Sequence, residues 1–493
     1  MKFAFRYRFL AFAAGLATVL ALMTGCAWFG DTGKRAEIMT LPDMSQTLAA
    51  ARSSLTADGQ WPRQAWWEDF KTPALNRLIT LVLADNPNFK EAAARLRQAQ
   101  ALVDAQAAEL YPSVDANVSF SAQRFSANSV QAKLAGENFR QLLINPLVLR
   151  YHLDFWGRDR AALEAAVGKA LAVETELADA KLLLAATVAN SYFALLAAAE
   201  KQALAKEIVT NREALLALQQ VLNTSGLAAT APLLQAKMAL NTAQQVAAGM
   251  NAEVELQKNL LAALAGKGPD WGRGIVVEDG VMPHRPALPA DLPLRLLARR
   301  PDLSAAKLHA QAASQEIKVA ESAFYPDVNL IAFAGLHSVS LSDVVLQGAS
   351  LAYAVGPSIS LPIFEGGRLR ARLNFQEAGY DAVVERYNGT LLHALQEVAD
   401  VLARWRDIDT RLTEQRQIVA EADEVQRLAD RLNRSGLNDR SEAMLARVET
   451  LQQRFRLAAL EGEQFKTAVQ ASKALGGGFN EISANAQQIS HAK

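Results

Sequence analysis

Ser113-Val114-Asp115-Ala116-Asn117-Val118-Ser119-Phe120-Ser121-Ala122-Gln123 alternates polar and apolar residues without a fault. Val114, Ala116, Val118, Phe120 and Ala122 point one way, and Ser113, Asp115, Asn117, Ser119, Ser121 and Gln123 point the other. Period 2 is the signature of a strand, and about 9–11 such residues cross a bilayer in a β-barrel wall. A returning strand reads the same way: Leu147, Leu149, Tyr151, Leu153 and Phe155 alternate with Val148, Arg150, His152 and Asp154. Taken alone, each strand also fits a hairpin on a soluble sheet. The flanking helices change the balance. An alanine-rich helix from Asn86-Pro87 hands over to the first strand at Tyr111-Pro112, and a second helix begins at Arg158.

That second helix is long. From Arg158 to Leu222 there are 65 residues with no proline and one glycine, Gly168, which at ~1.5 Å per residue is roughly 98 Å of helix. Apolar residues at Leu171, Leu177, Leu184, Val188, Tyr192 and Leu195 imply lateral packing along it, as in a coiled coil. Asn223-Thr224-Ser225-Gly226-Leu227 ends it, with Gly226 placed for a left-handed cap, and Pro232 opens an antiparallel partner running to about Leu264. The turn between them is therefore a tip. Residues 266–293 hold five glycines and five prolines and form a connector. Gly266-Lys267-Gly268 lacks the spacing of a phosphate loop, which excludes nucleotide binding there.

The chain then repeats itself. Pro301 follows Pro87 by 214 residues (301 − 87), and Pro326 follows Pro112 by the same 214 (326 − 112). Phe155-Trp156-Gly157-Arg158 finds a counterpart in Phe364-Glu365-Gly366-Gly367-Arg368, and Asn433-Arg434-Ser435-Gly436-Leu437 repeats the tip. This is a tandem duplication. A fourth strand, Leu351 to Leu361, alternates in the same manner, although Pro357 is awkward in a central ladder. A second long helix runs from Arg368 to Ser435, Glu442 to Leu475 returns, and Gly476-Gly477-Gly478 closes the pattern.

At the start, Lys2, Arg6 and Arg8 precede an apolar run, Leu10 to Met23, which reads as a secretory signal. Cys26 follows as the one cysteine, so an intramolecular disulfide is impossible. Lys plus Arg balances Asp plus Glu at 51 each over 493 residues, which gives no electrostatic footprint for nucleic acid. Beyond the signal no run of 18 apolar residues occurs, so no transmembrane helix is expected and a membrane role has to come from strands or lipid. Four strands cannot close into a barrel, and an open edge is not tolerated in lipid. Bacterial barrels begin at about 8 strands, so several copies must each contribute four. That argument demands an oligomer without fixing two against three.

Trp66-Trp67 with Phe70, Leu110-Tyr111-Pro112-Ser113, Leu153-Asp154-Phe155-Trp156-Gly157-Arg158, Arg299-Arg300-Pro301-Asp302 and Leu361-Pro362-Ile363-Phe364 with Gly366-Gly367 together resemble the outer membrane factor (TolC-like) family, in its NodT/OprM-type lipoprotein branch. The resemblance covers about Trp66 to Leu475. Leu22-Met23-Thr24-Gly25-Cys26 is similar to a bacterial lipoprotein box, in which Cys26 carries the N-terminal lipid, palmitate included; the other reading is an unmodified small residue. The resemblance implies a mainly α fold with a membrane β-barrel: duplicated long-helix and β-hairpin units, four strands per protomer, a trimeric 12-stranded barrel and an α-helical periplasmic tunnel. It implies an outer-membrane location and a homotrimer. The partners it implies are a periplasmic adaptor and an inner-membrane pump of the resistance-nodulation-division (RND) type, or alternatively an ABC transporter. No cofactor is implied.

The expected division is signal 1–25, lipidated arm 26–72, first repeat 73–265 with strands near 113–125 and 145–156, and connector 266–293. It continues with a second repeat 294–476, with strands near 327–340 and 350–362, and a tail 477–493. Asp115, Asn117 and Ser119 are expected to face a water-filled lumen while Val114, Val118 and Phe120 face lipid. By family position Glu442 corresponds to a carboxylate that helps close the periplasmic gate, with Asp439 and Arg440 beside it. A second family acid falls on Leu445, and its first-half equivalent is Pro232. Asp439 and Glu442 equally suit a plain helix N-terminus. The histidines, His152, His284, His309, His337, His393 and His491, lack ligand spacing and an acidic partner motif, so they read as surface or packing residues and no metal site or enzyme is expected. The function so implied is passive export of small molecules. The alternatives are a type I protein secretion channel and a lipid-anchored coiled-coil adaptor, the latter needing one helical hairpin and no amphipathic strands.

Overall fold

The computed structural model describes residues 34–51, 55–56, 61–128, 136, 138–277, 284–289, 299–339 and 350–480. The signal segment, Cys26 and most of the expected tail lie outside the described residues. In chain order the elements are α1 (Ser45–Ala50), β1 (Leu55–Thr56), a 3-10 turn (Trp66–Phe70), α2 (Pro73–Asp85), α3 (Pro87–Ala108), β2 (Ser113–Arg124) and β3 (Asn138–His152). Then come α4 (Arg158–Thr224), α5 (Thr230–Leu264), α6 (Pro269–Arg273), β4 (Leu288–Pro289), α7 (Pro301–Ser322), β5 (Asp327–Ser338), β6 (Leu351–Ser360), α8 (Arg368–Arg434) and α9 (Arg440–Ala474). The duplication is visible in element lengths. Helices α3 and α7 have 22 residues each, β2 and β5 have 12, α4 and α8 have 67, and α5 and α9 have 35.

The chain forms two compact units, and each takes segments from both sequence repeats. Among the described residues, the first comprises 34–38 with those of Arg97–Val173 and Ala306–Tyr387; the second comprises those of Met39–Leu96, Glu174–Ala305 and 388–480. The copies thus interleave rather than fold side by side.

In the first unit β2, β3, β5 and β6 form one antiparallel sheet in that order. The strand expected near 145–156 needs correction, since β3 starts earlier, at Asn138, and ends at His152. The reason is a bulge. Pro146 has no N–H to donate, and the ladder shifts register between Ile144 and Leu147 against β5. A shift of this kind breaks the phase of alternation, so residues 138–144 do not continue the pattern read after it. Pro357 pairs with Leu330 on β6, an edge strand of this sheet, where a missing donor costs least. Helices α4 and α7 approach closely here. A Cβ on Gly168 would stand 3.1 Å from Ala312 Cβ, which accounts for the lone glycine in α4.

The core of the second unit is built on the aromatic group that sequence assigned to an arm. Trp66 and Phe70 are fully buried; Phe70 meets Phe193 at 4.9 Å between ring centroids, and Phe193 stacks on Phe465 at 5.1 Å. Val188, Tyr192 and Leu195 of α4 join that core, as their spacing implied. Helix α4 qualifies the expectation of no membrane helix. It carries an 18-residue window apolar enough to span by composition, but 56% of that window is buried within the chain, as in a core helix.

Candidate functional site

The sheet of the first unit is the surface that most needs an explanation. Register places Val114 opposite Leu149, Leu149 opposite Ala332, and Ala332 opposite Val355, so one face carries an apolar row across all four strands. Leu147, Ala334 and Tyr353 make a second such row. Most of these side chains are open to the surroundings: Val114 is 59% exposed, Leu147 47%, Tyr353 76% and Val355 74%, while Leu149, Ala332 and Ala334 are half-buried. Asp115, Asn117 and Ser119 lie on the opposite face of β2, where Arg150 Nη1 donates to Asp115 Oδ2 at 3.0 Å. Backbone groups on the outer edges of β2 and β6 have no strand partner among the described residues. In water such a sheet, apolar, exposed and open at both edges, is an aggregation surface.

The tips sit in the second unit and are near copies of each other. Gly226 and Gly436 take φ of 70° and 71°, the left-handed region that glycine enters without cost. Leu227 N donates to Leu222 O at 2.8 Å, and Leu437 N to Leu432 O at 2.9 Å. After the glycine the two diverge. Asp439 caps α9, accepting from Ser441 N at 3.2 Å and from Ser441 Oγ at 2.6 Å, and these bonds hold its carboxyl below the usual range. Ala229 stands at the same place before α5 and offers no cap. Arg440 and Glu442 are exposed on the first turn of α9. The structure therefore brings Asp439 into a local helix cap and leaves the other two acid and base candidates at the surface.

A buried ionic cluster, not singled out in the sequence beyond its Arg-Arg-Pro-Asp string, ties three helices of the second unit, α7, α8 and α9, together. Arg300 donates to Asp302 Oδ1 at 3.0 Å and Oδ2 at 2.7 Å, to Glu397 Oε2 at 2.9 Å and to Ala474 O at 3.0 Å. Lys473 Nζ adds a bond to Glu397 Oε1 at 3.0 Å. Burial works against the charge on Glu397, but Lys473 and Arg300 outweigh it and keep the carboxyl below its ordinary range. Asp179 of α4 lines the same cleft, of about 200 Å³. Burial, and then the Asp302 carboxylate, push it up to about 6. Sequence distance hid this cluster, since Glu397 is 97 residues from Arg300 and Ala474 is 174.

In the first unit one packed histidine has acidic neighbours that the sequence reading did not assign to it. His152, at the end of β3, has acidic partners on both ring nitrogens: Asp159 Oδ2 at Nδ1, and Asp327 Oδ1 at 2.9 Å from Nε2. Asp154 stands next to them and accepts from Arg160 N at 3.1 Å through Oδ2. Burial opposes the Asp154 charge, yet the backbone N–H groups of Arg160, Asp159 and Arg158 at the start of α4 hold the carboxyl below the usual range. The spacing His-x-Asp and a further five residues to Asp159 was the available signal.

Two segments, 78–267 and 292–477, match the family model described as outer membrane efflux protein. The chain is 31% identical over 435 residues to the toluene efflux pump outer membrane protein TtgC of Pseudomonas putida, covering 88% of this chain and 89% of that protein. It is 32% identical over 371 residues to the fusaric acid resistance protein FusA of Burkholderia cepacia, covering 74% of this chain and 69% of that one. Among solved structures, the outer membrane protein VceC of Vibrio cholerae superposes with a TM-score of 0.76 at 31% identity, over 85% of this chain and all of that one.

Proposed function

The chain belongs to the outer membrane efflux protein family, and from that premise we propose that it is the outer-membrane channel of a tripartite efflux system, a passive conduit for small molecules whose energy is supplied by an inner-membrane pump. The observation that carries this reading is the sheet of β2, β3, β5 and β6, with one exposed apolar face and two edges that no strand pairs among the described residues. Lipid is the solvent in which the apolar face is stable, and strands of other copies are what the edges require. Two copies would give eight strands, a barrel just wide enough to be filled by its own side chains; a conduit needs more, and three copies give twelve. Asp115, Asn117 and Ser119 then face the lumen. The long helices continue the conduit through the periplasm as a tunnel, and half-exposed Leu177 of α4 is available for packing between copies.

Cys26 carries a lipid that fixes the N-terminus to the outer membrane, and Lys34 onward runs beside α8. Ala36 N donates to Asp381 Oδ1 at 2.8 Å, which supports a tethered rather than a free arm. At the tips, Arg440 and Glu442 contribute charge contacts between copies in the closed state, and Asp439 positions them by fixing the first turn of α9. A periplasmic adaptor joins the tips to an RND-type pump.

The experiment is in-cell cross-linking from Ala229→Cys or Asp439→Cys with mass spectrometry of the captured proteins, alongside fractionation. Capture of an adaptor with a proton-driven pump supports efflux, and an ABC transporter in its place redirects the reading to secretion. Absence from the outer membrane, with no adaptor captured, removes the channel reading.

A further inference from the structure

The cluster at the strand-to-helix junction of the first unit has the composition of a metal centre, and we infer that His152, Asp154 and Asp159 bind one divalent transition-metal ion, with Zn²⁺ as the type. One donor atom from each of the three lies within 4.8 Å of the others. Ligand atoms at ~2.0–2.2 Å from one ion stand roughly 3.3 Å apart in a tetrahedron, a difference small enough for side-chain torsions to close. The set is well enclosed, with side chains 15%, 10% and 8% exposed for His152, Asp154 and Asp159.

Two further observations point to an ion rather than to an ion pair alone. Asp154 Oδ1 is buried and takes no hydrogen bond, although its partner oxygen is used by Arg160. A buried carboxylate oxygen left without a donor is costly, and a cation satisfies it. Asp327 stands on the far side of the imidazole, its Oδ1 at 2.9 Å from Nε2 but not aligned as a hydrogen bond. A carboxylate behind the ring is the arrangement that orients a metal-ligating histidine through its second nitrogen. The imidazole nitrogen selects against Mg²⁺ and Ca²⁺, which take oxygen ligands, and in favour of first-row transition ions. With three protein donors from the end of β3 and the start of α4, and Asp327 at the start of β5, the ion would clamp the two hairpins at the point where strand becomes helix. Burial makes it a structural site, separate from any transported cargo.

The test uses the full-length protein in detergent, stripped with chelator and then titrated with Zn²⁺ in equilibrium dialysis, with Co²⁺ as the spectroscopic reporter. The expected result is one Zn²⁺ per chain, unaffected by excess Mg²⁺, and a Co²⁺ spectrum with a nitrogen ligand. His152→Gln and Asp154→Asn should each weaken binding at least ~100-fold, and Asp327→Asn, which acts through the ring, roughly 10–100-fold. Asp154→Asn keeps an oxygen for the Arg160 N–H, so it reports on the ligand without removing the cap. If no equivalent binds, or if bound Zn²⁺ survives both His152→Gln and Asp154→Asn, the site is an ion-pair bridge or the metal sits on another histidine, and the inference is overturned.

Discussion

Arg300 carries more of the second unit's organisation than its sequence suggests. All three nitrogens of its guanidinium donate, to two carboxylates and to the carbonyl of Ala474 at the end of α9, one of the orphan acceptors of a helix terminus. Arg300→Ala leaves Asp302 partly buried without its partner and Glu397 with Lys473 alone, and a loss of about 3 kcal/mol is expected, read as a fall in denaturant midpoint. Asp179 responds in the opposite sense. Its folded-state pKa of about 6 lies above its ordinary 3.8, so the protonated carboxyl is the form the fold favours. That contribution is fully present below 3.8 and is lost as pH rises through 6. Asp179→Asn should therefore raise the Tm at pH 8, by an amount equivalent to roughly 2–3 kcal/mol, and should bring a smaller gain at pH 5. An equal gain at both pH values would count against the burial argument. Asp302 was legible beside Arg300 in the Arg-Arg-Pro-Asp string. Glu397, Lys473 and Asp179 were not, because no local pattern encodes which distant helices converge on a buried cation.

Elements whose physics is local could be read directly. The alternation of β2, the left-handed glycines of the tips and the proline-free stretches of α4 and α8 each follow from one residue type in one periodic position. The bulge in β3 could not be read that way, because it depends on a neighbour. Gly335 of β5 faces it, and a Cβ there would stand 2.3 Å from Asn145 Oδ1 and 2.4 Å from Ile144 O. The backbone oxygen cannot retreat without breaking the ladder, so Gly335→Val should abolish the β3–β5 register and with it the proposed oligomer, read as loss of its band on unheated gels. At the tips, the unequal caps make a milder prediction. Asp439→Ala removes the acceptor for Ser441 N and should cost α9 about 1 kcal/mol. Hydrogen exchange in the first turn of α9 should then rise several-fold, towards the rate of the uncapped first turn of α5. Unchanged exchange would mean that packing, and not the cap, fixes that turn.

At the scale of the whole molecule, sequence disclosed the duplication but not how the copies combine. Repeats detected as 73–265 and 294–476 suggest two bodies in series, whereas each compact unit mixes segments of both. The cause is geometric. A single hairpin of two strands is marginal by itself, and β3 from the first repeat pairs with β5 from the second to make the sheet of four. The same reasoning extends past the chain boundary. Edges β2 and β6 belong to one sheet and lie at its opposite sides, so within one copy they cannot pair with each other. Closure then demands that β2 of one copy meet β6 of the next in a heterologous contact, and such contacts either close into a ring or run on as a filament. Twisted four-strand sheets joined in this way reach twelve strands with three copies. A protein carrying Val118→Cys and Val355→Cys, treated in membranes with a short bifunctional maleimide, should give bands at two and three times the chain mass and none above. The single changes should give no ladder, since each places a thiol at one edge only. A band at twice the mass as the largest product would indicate an eight-stranded, side-chain-filled barrel, and the conduit reading would fail with it. A continuous ladder would indicate an open filament of edges, which lipid does not permit.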